Sequence, residues 1–184
     1  MKKQAVLILA DGFEEIEAVT SVDVLRRAGI DVIVAGVGGE TIKSSRNMLV
    51  KTDINVENIT VLPDVIILPG GMPGAEHIAG SSKVKDMIRQ MSDKKKFIAA
   101  ICASPAVVLA PLGVLRGRKA TCFPGMEEAF PKDAKYIPDP VVQDGNLITG
   151  KGPAASAAFA FKILENLSGK DTATLIAEKM LFSV

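Results

Sequence analysis

Three short apolar runs constrain this chain more than anything else in it: Ala5 to Ala10 (AVLILA), Val65 to Leu68 (VIIL) and Phe97 to Ile101 (FIAAI). None alternates with polar residues, and each is too short to be a buried helix. A strand that is apolar on both faces must be covered on both faces, as the inner strands of a helix-flanked parallel sheet are.

Between these runs the period changes. From Glu14 onward Ile16, Val19, Val22, Val24 and Leu25 form a broad apolar stripe at helical spacing, stopped at Gly29. Asp31 to Ala35 reads as a second strand, broken by Gly36 to Gly39. Ser44 to Glu57 is more polar, and Lys51 to Val56 partly alternates, which places strands there at or beyond the sheet edge. Ser81 and Ser82 can cap a helix through Val84, Met87, Ile88 and Met91. Pro105 to Leu112 predicts a short helix, Lys119 to Cys122 a small strand, and Met126 to Phe130 a helical turn. Val141 to Gln143 and Leu147 to Thr149 flank Asp144-Gly145-Asn146 as a hairpin; helices over Ala154 to Leu167 and Asp171 to Met180 follow. The pattern predicts an α/β, doubly wound sandwich with a mainly parallel sheet and helices on both faces, in a single domain spanning residues 1–184.

Composition narrows the function. Lys plus Arg number 22 and Asp plus Glu 21, a net charge of +1 that gives no general attraction for nucleic acid or anionic membrane. Two cysteines without CxxC spacing, and no leader-like segment, read as free thiols in a soluble cytoplasmic protein. The apolar runs fall far short of the roughly 20 residues that span a bilayer. One histidine and two separated cysteines do not make a common zinc site, and the phosphate-loop and dinucleotide glycine patterns are absent from the first strand-to-helix turn. The expectation is chemistry without a cofactor.

Unusual residues gather at three strand ends, Asp11 to Glu17, Pro69 to Gly74 and Cys102 to Pro105, where doubly wound sheets bind their ligands. Cys102 lies between Ala100 and Ser104, the small-x-nucleophile-x-small spacing of a nucleophile elbow. At a helix start its thiol would face unpaired N–H groups, which favour thiolate; the alternative is a small buried core residue. Glu14, Glu15 and Glu17 crowd a first helical turn, where acids usually face solvent. Glu14 and Glu17 share a face, and one of them could look across to the thiol. In a partly dry pocket such a carboxyl is pushed toward its protonated form and donates a hydrogen bond to sulfur. Gly70-Gly71 is either a plain tight turn or, with the N–H of Ala103, a set of backbone donors for an oxyanion. His77, the single histidine, reads as surface decoration. Cys122 reads as a packing residue, or as a resolving thiol if it comes near Cys102.

Taken together and in this order, ADGFEEIEAV, VIILPGGMPGA, AAICASP and TGKGP resemble the ThiJ/PfpI superfamily, and within it the Parkinson-linked deglycase and redox-sensor branch. The likeness runs nearly end to end and includes Ser45-Arg46. It implies a flavodoxin-like fold, and a homodimer with the reactive cysteine in a shallow pocket near the subunit interface. It also implies that Cys102 is that cysteine, Glu17 its acid partner, and Gly70 and Gly71 the oxyanion-type glycines. The implied activities are cofactor-free conversion of methylglyoxal to lactate, repair of glyoxal-modified amines and thiols, and oxidative-stress sensing through cysteine sulfinate. Older labels connect relatives with thiazole-phosphate biosynthesis or chaperone action. The chain departs from the pattern at Phe123-Pro124, where several relatives carry a pocket histidine before the proline. Ala103 also stands where the protease branch has a histidine, so peptidase and glutamine-amidotransferase readings lose their general base.

Overall fold

A computed structural model describes residues 2–182. Its main sheet has seven strands in the order β10-β11-β7-β6-β1-β2-β5. These are β1 (Gln4–Leu9), β2 (Asp31–Gly36), β5 (Ile54–Asn55), β6 (Val65–Leu68), β7 (Phe97–Ile101), β10 (Val141–Asp144) and β11 (Leu147–Gly150). All neighbours pair in parallel except β10, which returns antiparallel to β11.

The unbroken apolar runs are explained by two cores, one on each face of the sheet. Ala5, Leu7 and Leu9 of β1 point into one, Val6 and Ile8 into the other, and β6 and β7 divide in the same way. Helices α1 (Glu15–Arg27), α4 (Ser156–Ser168) and α5 (Lys170–Lys179) cover the first face. Helices α2 (Gly74–Gly80) and α3 (Ser82–Asp93) cover the second. Ser81 caps α3 as its sequence predicts, its Oγ accepting from the Val84 N–H at 3.3 Å. Because the side-chain period of a strand is two, Ala100 faces the second core and Ile101 the first; Cys102, just past the strand end, joins the first core because the chain turns there.

Three local expectations change. The segment after Cys102 is not an α-helix: Pro105–Leu109 is a π-helical turn and plain turns continue to Gly117. The small strand is only β8 (Lys119–Ala120), and it pairs with β9 (Lys135–Tyr136), which the sequence pattern does not announce. Ile16 and Val19 do not join the buried stripe of α1; both are more than half exposed. Next to that face lies a two-stranded hairpin, β3 (Thr41–Lys43) and β4 (Leu49–Lys51), outside the main sheet.

The chain starts in the middle of the sheet, steps to β2, and then returns to β6 on the other side of β1. The loops after β1 and β6 therefore leave in opposite directions and open a crevice at the carboxyl ends of the strands. Everything chemical is built around that crevice.

Candidate active site

Directly after β7 the backbone turns sharply at Cys102, whose φ is +63°. A residue with a Cβ in this left-handed region costs about 1–3 kcal/mol and persists only where its surroundings hold it. Three contacts do so. The Cys102 N–H donates to the Gly150 carbonyl at 2.9 Å, and its carbonyl accepts from the Phe123 N–H at 2.8 Å. Buried Ser104, expected only as a small neighbour, donates its hydroxyl proton to the Pro69 carbonyl and ties the elbow to the loop after β6.

The three strand-end loops interlock through glycines. A Cβ at Gly70 would lie 2.6 Å from the Cys102 Cβ, 2.9 Å from the Ala103 nitrogen and 3.0 Å from Glu17 Oε2. Gly71, at φ +87°, would collide with the Gly12 carbonyl oxygen and come within 2.6 Å of the Glu14 nitrogen. The Gly71 contacts are all with main chain, so no side-chain rotation relieves them.

The acids at the start of α1 divide the work. Glu14 caps its own helix, its Oε2 accepting from the Glu17 N–H at 2.9 Å. Glu15 reaches the hairpin loop, accepting from the hydroxyls of Ser44 and Ser45 and from the Arg46 N–H. Burial works against its charge, but those hydrogen bonds prevail and hold its pKa below the usual carboxylate value. Only Glu17 turns into the crevice, where it is fully buried. Its Oε2 accepts from the Gly70 N–H at 2.7 Å, its Oε1 is buried without a hydrogen-bond partner, and the carboxyl lies close enough to the Cys102 thiol for each to shift the other's titration.

Burial pushes the Glu17 carboxyl up to about 7; the Gly70 N–H and the thiol oppose the rise, and the Glu14 charge adds to it. Burial also pushes the Cys102 thiol up to about 12, with the Glu17 charge adding to it and the N–H groups of Gly71 and Ala103 opposing. The expectation of a thiol made acidic by a helix start is thereby corrected. Cys102 is only 8% exposed, and the π-helical turn does not compensate for the desolvation of its thiol. Ionisation instead requires a nearby base, and Glu17 is the one in reach.

Gly70 also has a different role from the one expected of it. Its N–H is taken by Glu17, so it positions the acid and leaves Gly71 and Ala103 as the donors around the sulfur. His77 lies apart on α2, its Nδ1 2.8 Å from the Asp11 carbonyl, beside a cleft of about 640 Å³ that contains no cysteine. Size therefore does not locate the chemistry here. Cys122 is fully buried next to the elbow, its thiol pushed up to about 12 by burial and by Glu127, and both cysteines are free. Among the described residues no group of three or more His, Cys, Asp or Glu is placed to hold a metal ion.

A cysteine on a strained elbow with a buried carboxylic acid beside it, at the crevice of a doubly wound sheet, defines a class of α/β proteins with a thiol at the centre of their chemistry. The chain belongs to the DJ-1/PfpI family, whose model matches residues 3–166. It is 43% identical over 184 residues to protein dj-1beta of Drosophila melanogaster, covering 98% of each chain. The solved structure of that protein superposes with a TM-score of 0.96 at 42% identity and full coverage of both chains. An oxidised DJ-1 from Toxoplasma gondii matches at a TM-score of 0.94 and 39% identity, over 99% of this chain and 100% of that one. A Caenorhabditis elegans protein named glutathione-independent glyoxalase DJR-1.2 is 34% identical over 174 residues, which is 92% of this chain and 91% of that one.

Proposed function

We propose that the protein performs cysteine-dependent, cofactor-free chemistry on small dicarbonyls or on the adducts they form with amines and thiols. The observation that carries this reading is the buried Glu17 carboxyl beside the Cys102 thiol, pushed up to about 7 by burial. A group with that pKa accepts and returns protons at neutral pH with little cost in either direction. The glyoxalase name carried by the Caenorhabditis elegans relative supports the same substrate class.

With methylglyoxal, the Cys102 sulfur adds to the aldehyde carbon while Glu17 takes the thiol proton and passes it to the new alkoxide, giving a hemithioacetal. The N–H groups of Gly71 and Ala103 stabilise the charge on that oxygen as it forms. Glu17 then removes the proton from the former aldehyde carbon, giving an enediol as the neighbouring carbonyl oxygen is protonated; return of a proton to the neighbouring carbon with loss of the first hydroxyl's proton leaves a thioester of lactate. Water cleaves the thioester and restores the thiol. Methylglyoxal plus water has become lactate, with oxidation of one carbon matched by reduction of the next. Pure protein should convert methylglyoxal to lactate, and Cys102→Ser should not. Equal rates for the two would overturn the mechanism.

A second reading treats Cys102 as a redox sensor that peroxide converts to sulfinate, with the protonated Glu17 donating a hydrogen bond to the product. It is favoured by the oxidised state of the Toxoplasma gondii relative. Intact mass after mild peroxide should then show two added oxygens on Cys102. We further propose that two copies pair through α1 and the hairpin, because Ile16, Val19, Met48 and Leu49 are large apolar side chains more than half exposed there. No helix among the described residues is long and apolar enough to cross a membrane.

A further inference from the structure

Beside the elbow lies a second, smaller hollow of about 290 Å³, walled by Phe123, Pro124, Pro140, Gly152 and Pro153. Its two sides are anchored to the main chain of Cys102 itself. The Phe123 N–H is held by the Cys102 carbonyl, and β11, which leads through Lys151 into Gly152, is held by the Cys102 N–H through Gly150. A Cβ on Gly152 would sit 3.4 Å from the Phe123 ring, so the ring lies close against the glycine, and Phe123 as a whole is 46% exposed. Lys151 is the one charged residue in the wall, and its ammonium donates to the Pro138 carbonyl at 3.1 Å.

An exposed phenyl ring set among prolines and a glycine, on segments hydrogen-bonded to the main chain of the nucleophile, offers dispersion contact and no hydrogen bonds. The space exceeds the roughly 150 Å³ that suffices to take up benzene in an apolar cavity. We propose that this hollow receives an uncharged, aryl-sized substituent of the compound that Cys102 attacks, and that Phe123 is the specificity-determining residue. This rests on the dicarbonyl reading and narrows it to 2-oxoaldehydes that carry an apolar group.

The test compares phenacyl bromide with bromoacetone, two α-bromoketones that differ only in phenyl against methyl. Their alkylation rates at Cys102 are read by intact mass and peptide mapping, and each rate is divided by that for glutathione. In the wild-type protein the aryl-to-methyl ratio should exceed that of glutathione by at least about tenfold, the discrimination an apolar pocket ordinarily gives. Phe123→Asp should bring it to within about threefold of glutathione, and Phe123→Leu, which keeps the wall apolar, should retain it. A wild-type ratio equal to that of glutathione, or one that Phe123→Asp leaves unchanged, overturns the proposal. The ratio of kcat/KM for phenylglyoxal over glyoxal should move in parallel. Selective alkylation in a protein that turns over no dicarbonyl would keep the hollow as an aryl site and remove the dicarbonyl reading. Turnover without selectivity would do the reverse.

Discussion

Glu17 is a carboxylic acid taken wholly out of water, and that has opposite consequences for stability and for activity. Unfolded, the group titrates near 4.5; folded, it holds its proton up to about 7. The folded state binds the proton more tightly, so this contribution to stability is complete below pH 4.5. It is lost as pH rises from 4.5 to 7 and is constant above that. The separation corresponds to on the order of 3 kcal/mol. In a pH series of thermal melts, the wild-type Tm should fall across this window, and Glu17→Gln should flatten the fall and raise Tm by several degrees at pH 7.5. The same substitution removes the base, so kcat/KM for methylglyoxal, which should rise through about pH 7 in the wild type, should drop at least about 100-fold. The acid was only partly legible in the sequence. Helical spacing placed Glu14 and Glu17 on one face and left them tied, and the family resemblance selected Glu17. What separates them physically is a contact 53 residues away, the Gly70 N–H, together with the capping bond that turns Glu14 back onto its own helix.

At the scale of elements, the continuously apolar strands were legible because a strand covered on both sides has nowhere to place a polar side chain. Val65–Leu68 and Phe97–Ile101 lie where their composition puts them. The exposed face of α1 was not, because Ile16 and Val19 keep helical spacing whether they meet a core or await another surface. The π-helical turn at Pro105–Leu109 was equally hidden, since its apolar residues suit a short α-helix as well. Glycines marked the loop between β6 and α2, but not which atoms they admit. Gly70→Ala forces a methyl between Cys102 and Glu17, and chemical denaturation should show a loss of about 1–3 kcal/mol. Its methylglyoxal turnover should fall further than that loss of stability alone explains, because the acid and the sulfur are driven apart.

The whole molecule presents its apolar α1 and hairpin face on the element that carries Glu17, which ties the proposed pairing of copies to the site. Glu15 sets that face by joining α1 to Ser44, Ser45 and Arg46. In sedimentation velocity the wild-type chain should run at twice its monomer mass, and Leu49→Asp at the monomer mass, because an unpaired carboxylate would be buried at the contact. The interlocking of the glycine loops determines where new sequence can be spliced in. Gly12, Gly71 and Gly74 pack main chain on main chain, so those loops cannot lengthen independently. Four residues added beside Gly71 should leave a folded protein without activity. The same insert beside Gly145, in the hairpin at the far end of β11, should leave both intact, making that turn the place to graft a tag or a fused domain.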